Sequence, residues 1–135
     1  MSELWNHSAL TLRGMLGEGE ISPVELTELY LGRVRELNPR VHALTTVTEK
    51  AALARAAELQ QYPAPSRLEA PLWGLPFADK DLNDRVGVPT TYGSAALAGF
   101  VPDQSSPITE DLDRAGGISL GKTNVPEFGF PSYAK

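Results

Sequence analysis

The chain has 135 residues, of which 41% are hydrophobic and 21% charged, and its formal net charge is -5. This composition is typical of a folded globular protein, and no run of like charge indicates a nucleic-acid-binding or membrane-binding surface. The absence of cysteine excludes disulfides, a thiol nucleophile and thiolate metal sites. His7 and His42 lie far apart without metal-ligand spacing, so no metal is expected.

The N-terminus does not have the features of an export signal. Residues 1–7 contain neither a basic start nor an apolar segment, and no later apolar run approaches the length that spans a membrane. A cytoplasmic protein with no membrane or nucleic-acid partner is therefore expected.

The first half of the chain predicts helices. Apolar residues at helical spacing predict a first helix over residues 6–16, ended by Gly17 or Gly19. A second helix begins after Ser22, which forms a capping box with Glu25, and is expected to end at Asn38-Pro39.

A strand and a third helix should follow. Residues 41–47 are rich in Val, Leu and Thr and predict a short strand. Thr48 is a candidate cap for an alanine-rich helix over residues 49–61. Residues 62–70 carry the prolines of an irregular connection.

The chain is organised around residues 71–94, and residues 71–82 are the first part of this stretch. An apolar run headed by Pro and Gly predicts a short buried strand, and that run ends in Asp79-Lys80-Asp81. One interpretation is that Lys80 simply reaches solvent at the strand end. The other is that it lies inside a site, where desolvation lowers its pKa and makes it a base.

The remainder predicts one crossover unit. A Gly/Pro/Thr loop leads to a helical turn over residues 94–99, then to a helix over residues 107–114 capped by Ser105 or Ser106. A second short buried strand covers residues 118–121. A helix between two strands indicates an α/β sheet.

Two sequence blocks resemble the amidase signature family. Residues 74–81 read Gly-Leu-Pro-Phe-Ala-Asp-Lys-Asp and are followed by Gly-Val-Pro-Thr-Thr at 87–91 and Gly-Ser at 93–94. Residues 113–128 contain Gly-Lys-Thr-Asn-Val-Pro-Glu-Phe after an Ala-Gly-Gly turn. The blocks follow the family's order and separation, and upstream helices extend the resemblance over nearly the whole chain.

This resemblance implies that Lys80 is the catalytic lysine of a Ser-cisSer-Lys triad. In that scheme Lys80 relays a proton through a bridging serine to and from a nucleophilic serine, and a carboxamide is hydrolysed through an acyl-serine intermediate without a cofactor. Both serines of the family lie downstream of the Asn-x-Pro-Glu-Phe block, beyond Lys135.

The expected fold is α/β, the N-terminal part of an amidase-signature fold with a mixed sheet covered by helices. Residues 1–70 form its helical part, and residues 71–135 form a strand, loop and helix core, within a single amidase domain. The partners implied are a small-molecule amide in the parent enzyme, with self-association or a complementing C-terminal part as further possibilities.

Neighbouring residues receive structural roles. Asp79 and Asp81 should point away from Lys80, because alternation along a strand places them opposite, and Asp81 should anchor the loop that follows. The resemblance makes Lys122, Thr123 and Asn124 structural polar groups near the site. Family members often carry Asp at the position of Ser105, which leaves a functional role there in doubt. Aromatic side chains expected in the core are Trp73, Phe77, Phe128 and Phe130.

A nucleotide phosphate loop is the alternative for residues 116–123, which satisfy its bare Gly-x-x-x-x-Gly-Lys-Thr pattern. It is rejected because such a loop follows a strand and opens a helix, whereas here a predicted helix precedes and a strand is included. Two alternatives to a free amidase stay open. One is the A-type subunit of a glutamine-dependent amidotransferase, and the other is a non-catalytic truncated module.

Overall fold

The computed structural model of the chain describes residues 3–63, 67, 69–130 and 132. The regular elements whose bounds are described include four helices and three strands, with single 3-10 turns at Leu4–Asn6, Ala95–Leu97 and Glu127–Gly129. In chain order they are α1 (Ala9–Glu18), α2 (Pro23–Val41), β1 (Leu44–Val47), α3 (Glu49–Gln60), β2 (Pro76–Lys80), α4 (Pro107–Arg114) and β3 (Ile118–Thr123).

The strands form a mixed sheet in the order β1-β3-β2. β1 pairs with β3 antiparallel, and β2 pairs with β3 parallel. The connection from β2 to β3 carries α4, as a parallel pair requires a long crossover. The predicted α/β class with a mixed sheet is thus confirmed.

The core lies where the first three helices meet β3. Ile118 and Leu120 of β3 are buried and alternate with the outward-facing Ser119. Ala52 and Ala56 of α3 are completely or almost completely buried, and their small side chains let the helix approach closely. Leucines of α1 and α2 and the predicted core residue Trp73 complete the cluster.

Helix α1 begins three residues later than predicted and ends at the predicted glycine. The side chain of Ser8 accepts a hydrogen bond from the backbone nitrogen of Thr11 at 3.1 Å, so Ser8 is the N-cap. Gly19 closes the helix with a φ of 77°, a conformation that glycine adopts at little cost.

Helix α2 has the predicted start but not the predicted end. The capping box is confirmed, since Ser22 Oγ accepts from Glu25 N at 3.1 Å and Glu25 Oε2 accepts from Ser22 N at 2.9 Å. The helix continues through Pro39 to Val41. The predicted end at Asn38-Pro39 is therefore wrong, and β1 begins at Leu44 instead of Val41.

Asn38 explains why the helix persists past the proline. Its side-chain amide donates to the carbonyl oxygen of Leu44 at 3.0 Å, and its Oδ1 accepts from Leu44 N at 2.8 Å. The backbone oxygen of Asn38 also accepts from His42 N, and His42 lies in the left-handed region. These bonds outweigh the bias against helix before proline and fix the corner between α2 and β1.

Two predicted helix caps make side-chain hydrogen bonds other than the expected cap bond. The hydroxyl of Thr48 makes no cap bond and donates to the carbonyl of Ser119 at 3.4 Å. Ser106 occupies the N-cap position of α4, but its hydroxyl bonds to Thr109 and to the carbonyl oxygen of Asp84. Helices α3 and α4 themselves match the prediction within one residue.

Several predictions differ from the structure or concern residues outside its described part. Phe128 and Phe130 are 59% and 95% exposed, so their prediction as core residues is wrong; the turn that carries them extends past the end of β3. Phe77 is half-buried. Residues 64–66 and 68 of the predicted irregular connection lie outside the described residues, and Arg67 and Glu69 within it are helical. No described helix is long and apolar enough to span a membrane.

The close pairing of β1 with β3 requires a glycine at position 121, and substitution of that glycine tests this requirement. Gly121 has a φ of 148°, and a Cβ at this position would overlap the carbonyl oxygen of Thr46 on β1. We expect Gly121→Ala to lower the free energy of unfolding by about 3 kcal/mol, because strain and displacement of β1 combine.

Gly14→Ala is the matched control. Gly14 lies in α1 with nothing near its virtual Cβ, so the substitution should stabilise by about 0.5–1 kcal/mol. Urea unfolding followed by circular dichroism measures both. An unaltered midpoint for Gly121→Ala would contradict the close approach of β1 and β3.

Candidate active site

Lys80 is the last residue of β2, at the carboxyl end of the strand. Its backbone lies opposite Thr123 of β3, and its carbonyl oxygen accepts from Asn83 N at 2.9 Å in the turn that follows. Its side chain is exposed. The described residues therefore do not bury the Lys80 amine.

Asp79, the residue before it, is buried and fully engaged. Its carboxylate accepts from Arg85 Nε at 2.6 Å and from Ser119 Oγ at 2.6 Å. Arg85 also binds Asp113 in a two-pronged pair at 2.8 and 2.9 Å. Asp79 of β2 and Asp113 of α4 thus bind the same guanidinium, and Ser119 of β3 bonds to Asp79.

The ionisation of Arg85 follows from these contacts. Burial by itself would lower the pKa of Arg85, but the hydrogen bonds and charges of Asp113 and Asp79 more than offset burial and raise it. The guanidinium is therefore a permanent cation, and it neutralises the buried Asp79.

Asp81, the residue after Lys80, is fully buried. Its Oδ2 accepts from Thr91 Oγ1 at 2.6 Å and from Thr91 N at 3.2 Å. Its carbonyl oxygen accepts from Tyr92 N at 3.1 Å. The predicted role of Asp81 as the anchor of the following loop is confirmed, and both carboxylates beside Lys80 are bound to groups other than its amine.

Lys122 of β3 is the buried lysine of this region, with no exposed surface. Its ammonium donates to Thr90 Oγ1 at 3.0 Å and to the carbonyl oxygen of Asn83, and lies 3.7 Å from Asp81 Oδ1. Burial lowers the pKa of Lys122, although the nearby carboxylates, Asp81 first, oppose that shift. Lys122 is thus a structural polar group beside the motif lysine, as the resemblance implied.

The loop after β2 is held by its own polar side chains. Tyr92 donates its phenol to Asp84 Oδ1 at 2.5 Å, and this hydrogen bond raises the pKa of Tyr92 to about 12. Ser94 Oγ donates to Glu127 Oε1 at 2.8 Å, and Phe128 N donates to the carbonyl of Tyr92. The loop chemistry of Thr90, Thr91 and Ser94 therefore supports turn and packing roles. Ser105 joins the same loop by accepting from Val86 N at 3.0 Å.

The phosphate-loop alternative for residues 116–123 is excluded by position. Gly121, Lys122 and Thr123 lie inside β3, which does not lead into a helix there, and the Lys122 ammonium is bound to protein groups. Among residues 3–63, 67, 69–130 and 132, no three histidine or acidic side chains come together as a metal site would require.

Sequence reasoning located Lys80 and Asp81 but missed the cations that neutralise the two aspartates. Arg85 had no assigned role, and Lys122 had no predicted burial. A usable signal existed for Lys122, since a lysine placed after Ile-Ser-Leu-Gly in a buried strand needs an anionic partner. No comparable pattern pointed to Arg85, because it lies in a loop and one of its two partners, Asp113, is 28 residues away.

The Arg85 cluster gives a stability test. We expect Arg85→Lys to cost about 2–4 kcal/mol of unfolding free energy, because an ammonium cannot serve Asp79 and Asp113 with paired hydrogen bonds. Arg114→Lys is the matched control: it also bonds an aspartate, Asp111, but both side chains are largely exposed, so the change should stay within about 0.5 kcal/mol. Equal midpoints of urea unfolding for the two variants would contradict a stabilising role for the contacts of Arg85 with Asp79 and Asp113.

Comparison with known proteins adds family information to this geometry. The family profile described as Amidase matches residues 25–135. The A-type subunit of glutamyl-tRNA(Gln) amidotransferase from Salinispora tropica is 40% identical over 98% of the chain, and that from Methylobacillus flagellatus is 42% identical over 94%. The chain spans 27% and 26% of the lengths of these relatives.

A solved structure shows the same fold. The native peptide amidase of Stenotrophomonas maltophilia superposes on 87% of the chain with a TM-score of 0.79 and 36% identity, and the match covers 24% of that enzyme. The profile match extends over most of the chain and includes β2, β3 and the loop between them. The chain belongs to the amidase family.

Proposed function

We propose that the chain is the N-terminal part of a single amidase domain and that Lys80 is its catalytic lysine. The observation that carries this proposal is the separation of Lys80 from its neighbours. Asp79 and Asp81 are buried and bound elsewhere, whereas the Lys80 amine is exposed at the carboxyl end of β2. Without a carboxylate bound to it, this amine is available to exchange a proton.

The proposed reaction is hydrolysis of a carboxamide C–N bond through an acyl-serine intermediate. Neutral Lys80 accepts a proton from a bridging serine, which accepts the proton of the nucleophilic serine as that oxygen attacks the carbonyl carbon. The proton then passes back to the leaving amine, and water hydrolyses the ester. In this proposal the two serines belong to polypeptide outside residues 1–135.

The proposal also requires that the rest of the domain cover Lys80. An exposed lysine is protonated at neutral pH, whereas a base must be neutral. Removal of water from around an amine disfavours its charged form. The amine lies where additional polypeptide could do this, since β2 is an outer strand of the described sheet.

Lys122 is a weaker candidate for the base. Burial lowers its pKa, which suits a base, but its ammonium is sealed between Asn83, Thr90 and Asp81. A group without exposed surface cannot exchange a proton with a substrate or with a serine from another segment. The geometry therefore favours Lys80.

An amidotransferase subunit of the A type is the second candidate function, favoured by the relatives at 40% and 42% identity. In that case the amide is glutamine, and the ammonia released is transferred to glutamyl-tRNA with the help of partner chains. Ammonia release from L-glutamine that requires the added partner chains would support it. Hydrolysis of simple aryl amides such as 4-nitroacetanilide by the protein alone would support a free amidase.

Substitution of Lys80 tests the proton-transfer role in the complete protein. Lys80→Ala should reduce kcat/KM by at least about 1,000-fold, and Lys80→Arg should not restore it, because a guanidinium keeps the charge but does not deprotonate in this pH range. Release of 4-nitroaniline or of ammonia measures the rate.

Lys50→Ala is the matched control, since Lys50 is an exposed lysine of α3. It should leave kcat/KM within a factor of two of the parent. A folded Lys80→Arg enzyme with near-parental turnover would contradict the proton shuttle and leave Lys80 as a charge-stabilising residue.

Residues 1–135 by themselves should not hydrolyse amides, because the proposed serine pair is outside them. The purified 135-residue chain is incubated with the same aryl and aliphatic amides and with L-glutamine. Turnover that disappears in Lys80→Ala would show that this segment is catalytically complete. Absence of turnover would also be expected for a non-catalytic module, so the complete protein decides between the two.

A further inference from the structure

The side chain of Lys122, on the central strand β3, contacts the segment that follows Lys80. The groups that its ammonium contacts belong to residues 81–90: the Asp81 carboxylate, the Asn83 carbonyl and the Thr90 hydroxyl. The lysine is fully buried, and so is Asp81. Complete burial of a lysine is rare unless an anion compensates its charge, and Asp81 is the anion within reach.

The Asp81 carboxylate depends on Lys122 in return. Its Oδ2 is bonded to Thr91, but its Oδ1 has no hydrogen bond among the described residues and faces the Lys122 ammonium at 3.7 Å. Removal of either charge would leave the other buried without compensation, which is costly.

This pair acts directly on the backbone of Lys80. Asp81 follows Lys80 in the chain, and Asn83, whose carbonyl Lys122 binds, donates its N–H to the carbonyl of Lys80 at 2.9 Å. On the other side, Lys80 pairs with Thr123, the neighbour of Lys122 on β3. The backbone of Lys80 is therefore held on one side by a turn that the Lys122 side chain binds, and on the other by the residue that follows Lys122 in β3.

We infer that Lys122 and Asp81 form a positioning pair that holds the backbone of Lys80 in its catalytic orientation. The inference rests on the proposed role of Lys80. The pair is neutral as a whole, so it fixes the backbone beside Lys80 without adding a net charge there.

The other charged groups around this pair are already paired. Asp79 binds Arg85, which also binds Asp113, and Asp84 accepts the phenol of Tyr92. Glu127, in the segment after β3, accepts from Ser94. Substitution of one member of the positioning pair therefore changes the local charge in a known direction.

Both single substitutions should impair catalysis in the complete protein more than they impair binding. In Asp81→Asn and in Lys122→Met the turn after β2 loses a contact that fixes the Lys80 backbone, so kcat should fall about 10- to 100-fold while KM changes less than threefold. The double variant should lose little more than the worse single variant, because each single change already breaks the pair.

Two measurements report this loss. The first is the split between kcat and KM, with 4-nitroacetanilide or L-glutamine as the substrate. The second is the rate of Lys80 acetylation by acetic anhydride at a fixed pH, read by peptide mass spectrometry. This rate needs no enzymatic activity and should differ from the parental rate in both variants.

Lys50→Met is the charge control, since it removes an exposed lysine of α3 and should move neither readout. A purely structural pair would lower stability in both variants while the kcat of the folded enzyme and the acetylation rate of Lys80 stayed at their parental values, and that result would overturn the inference. If Lys122→Met does not fold, Asp81→Asn decides: a lower kcat at nearly unchanged KM supports the inference and an unchanged kcat overturns it.

Failure of the proposed function has a different signature. An active Lys80→Ala enzyme would remove the role of Lys80 in catalysis whatever the labelling shows. An inactive Lys80→Ala enzyme with a parental kcat in both pair variants would leave the function intact and overturn only the positioning pair.

Discussion

Two buried carboxylates on either side of Lys80 determine the arrangement of this region. Asp79 and Asp81 belong to the sheet edge and the turn after it, and neither can stay ionised in the interior without a cation. The chain supplies Arg85 to the first and Lys122 to the second. Because these cations come from a loop and from the central strand, neutralising the carboxylates also brings together β2, β3, α4 and the loop between them.

This arrangement explains how an exposed lysine can stand between two aspartates without pairing with either. In a flexible segment, a lysine flanked by aspartates would exchange transient ion pairs with both. Here each carboxylate is turned inward and saturated by stronger, hydrogen-bonded partners. The side chain between them is left as a single free amine on a rigid strand end, which suits a group that has to meet another segment.

Local signals predicted the elements well, and long-range contacts produced the differences. The capping box at Ser22, the αL glycine at position 19 and the bounds of α4 depend on residues within one or two turns, so the sequence alone located them. Pro39 was predicted to end α2, but the two bonds of the Asn38 amide to Leu44 stabilise a helix end that propensity disfavours. Likewise, the motif located Lys80, whereas its surroundings also depend on residues that are distant in the chain, such as Arg85 with Asp113 and Asp81 with Lys122.

The strand order has a consequence for how the protein forms during synthesis. β3 lies between β1 and β2, yet it is the last of the three strands in the chain. Neither earlier strand can satisfy its backbone groups in this sheet until residue 123 has left the ribosome, although the caps of α1 and α2 and the bonds between Asn38 and Leu44 use contacts that are close in sequence. The helices can therefore form before the sheet. Arrival of the central strand then pairs it with both β1 and β2, buries Ile118 and Leu120 against the helices and brings Lys122 to Asp81.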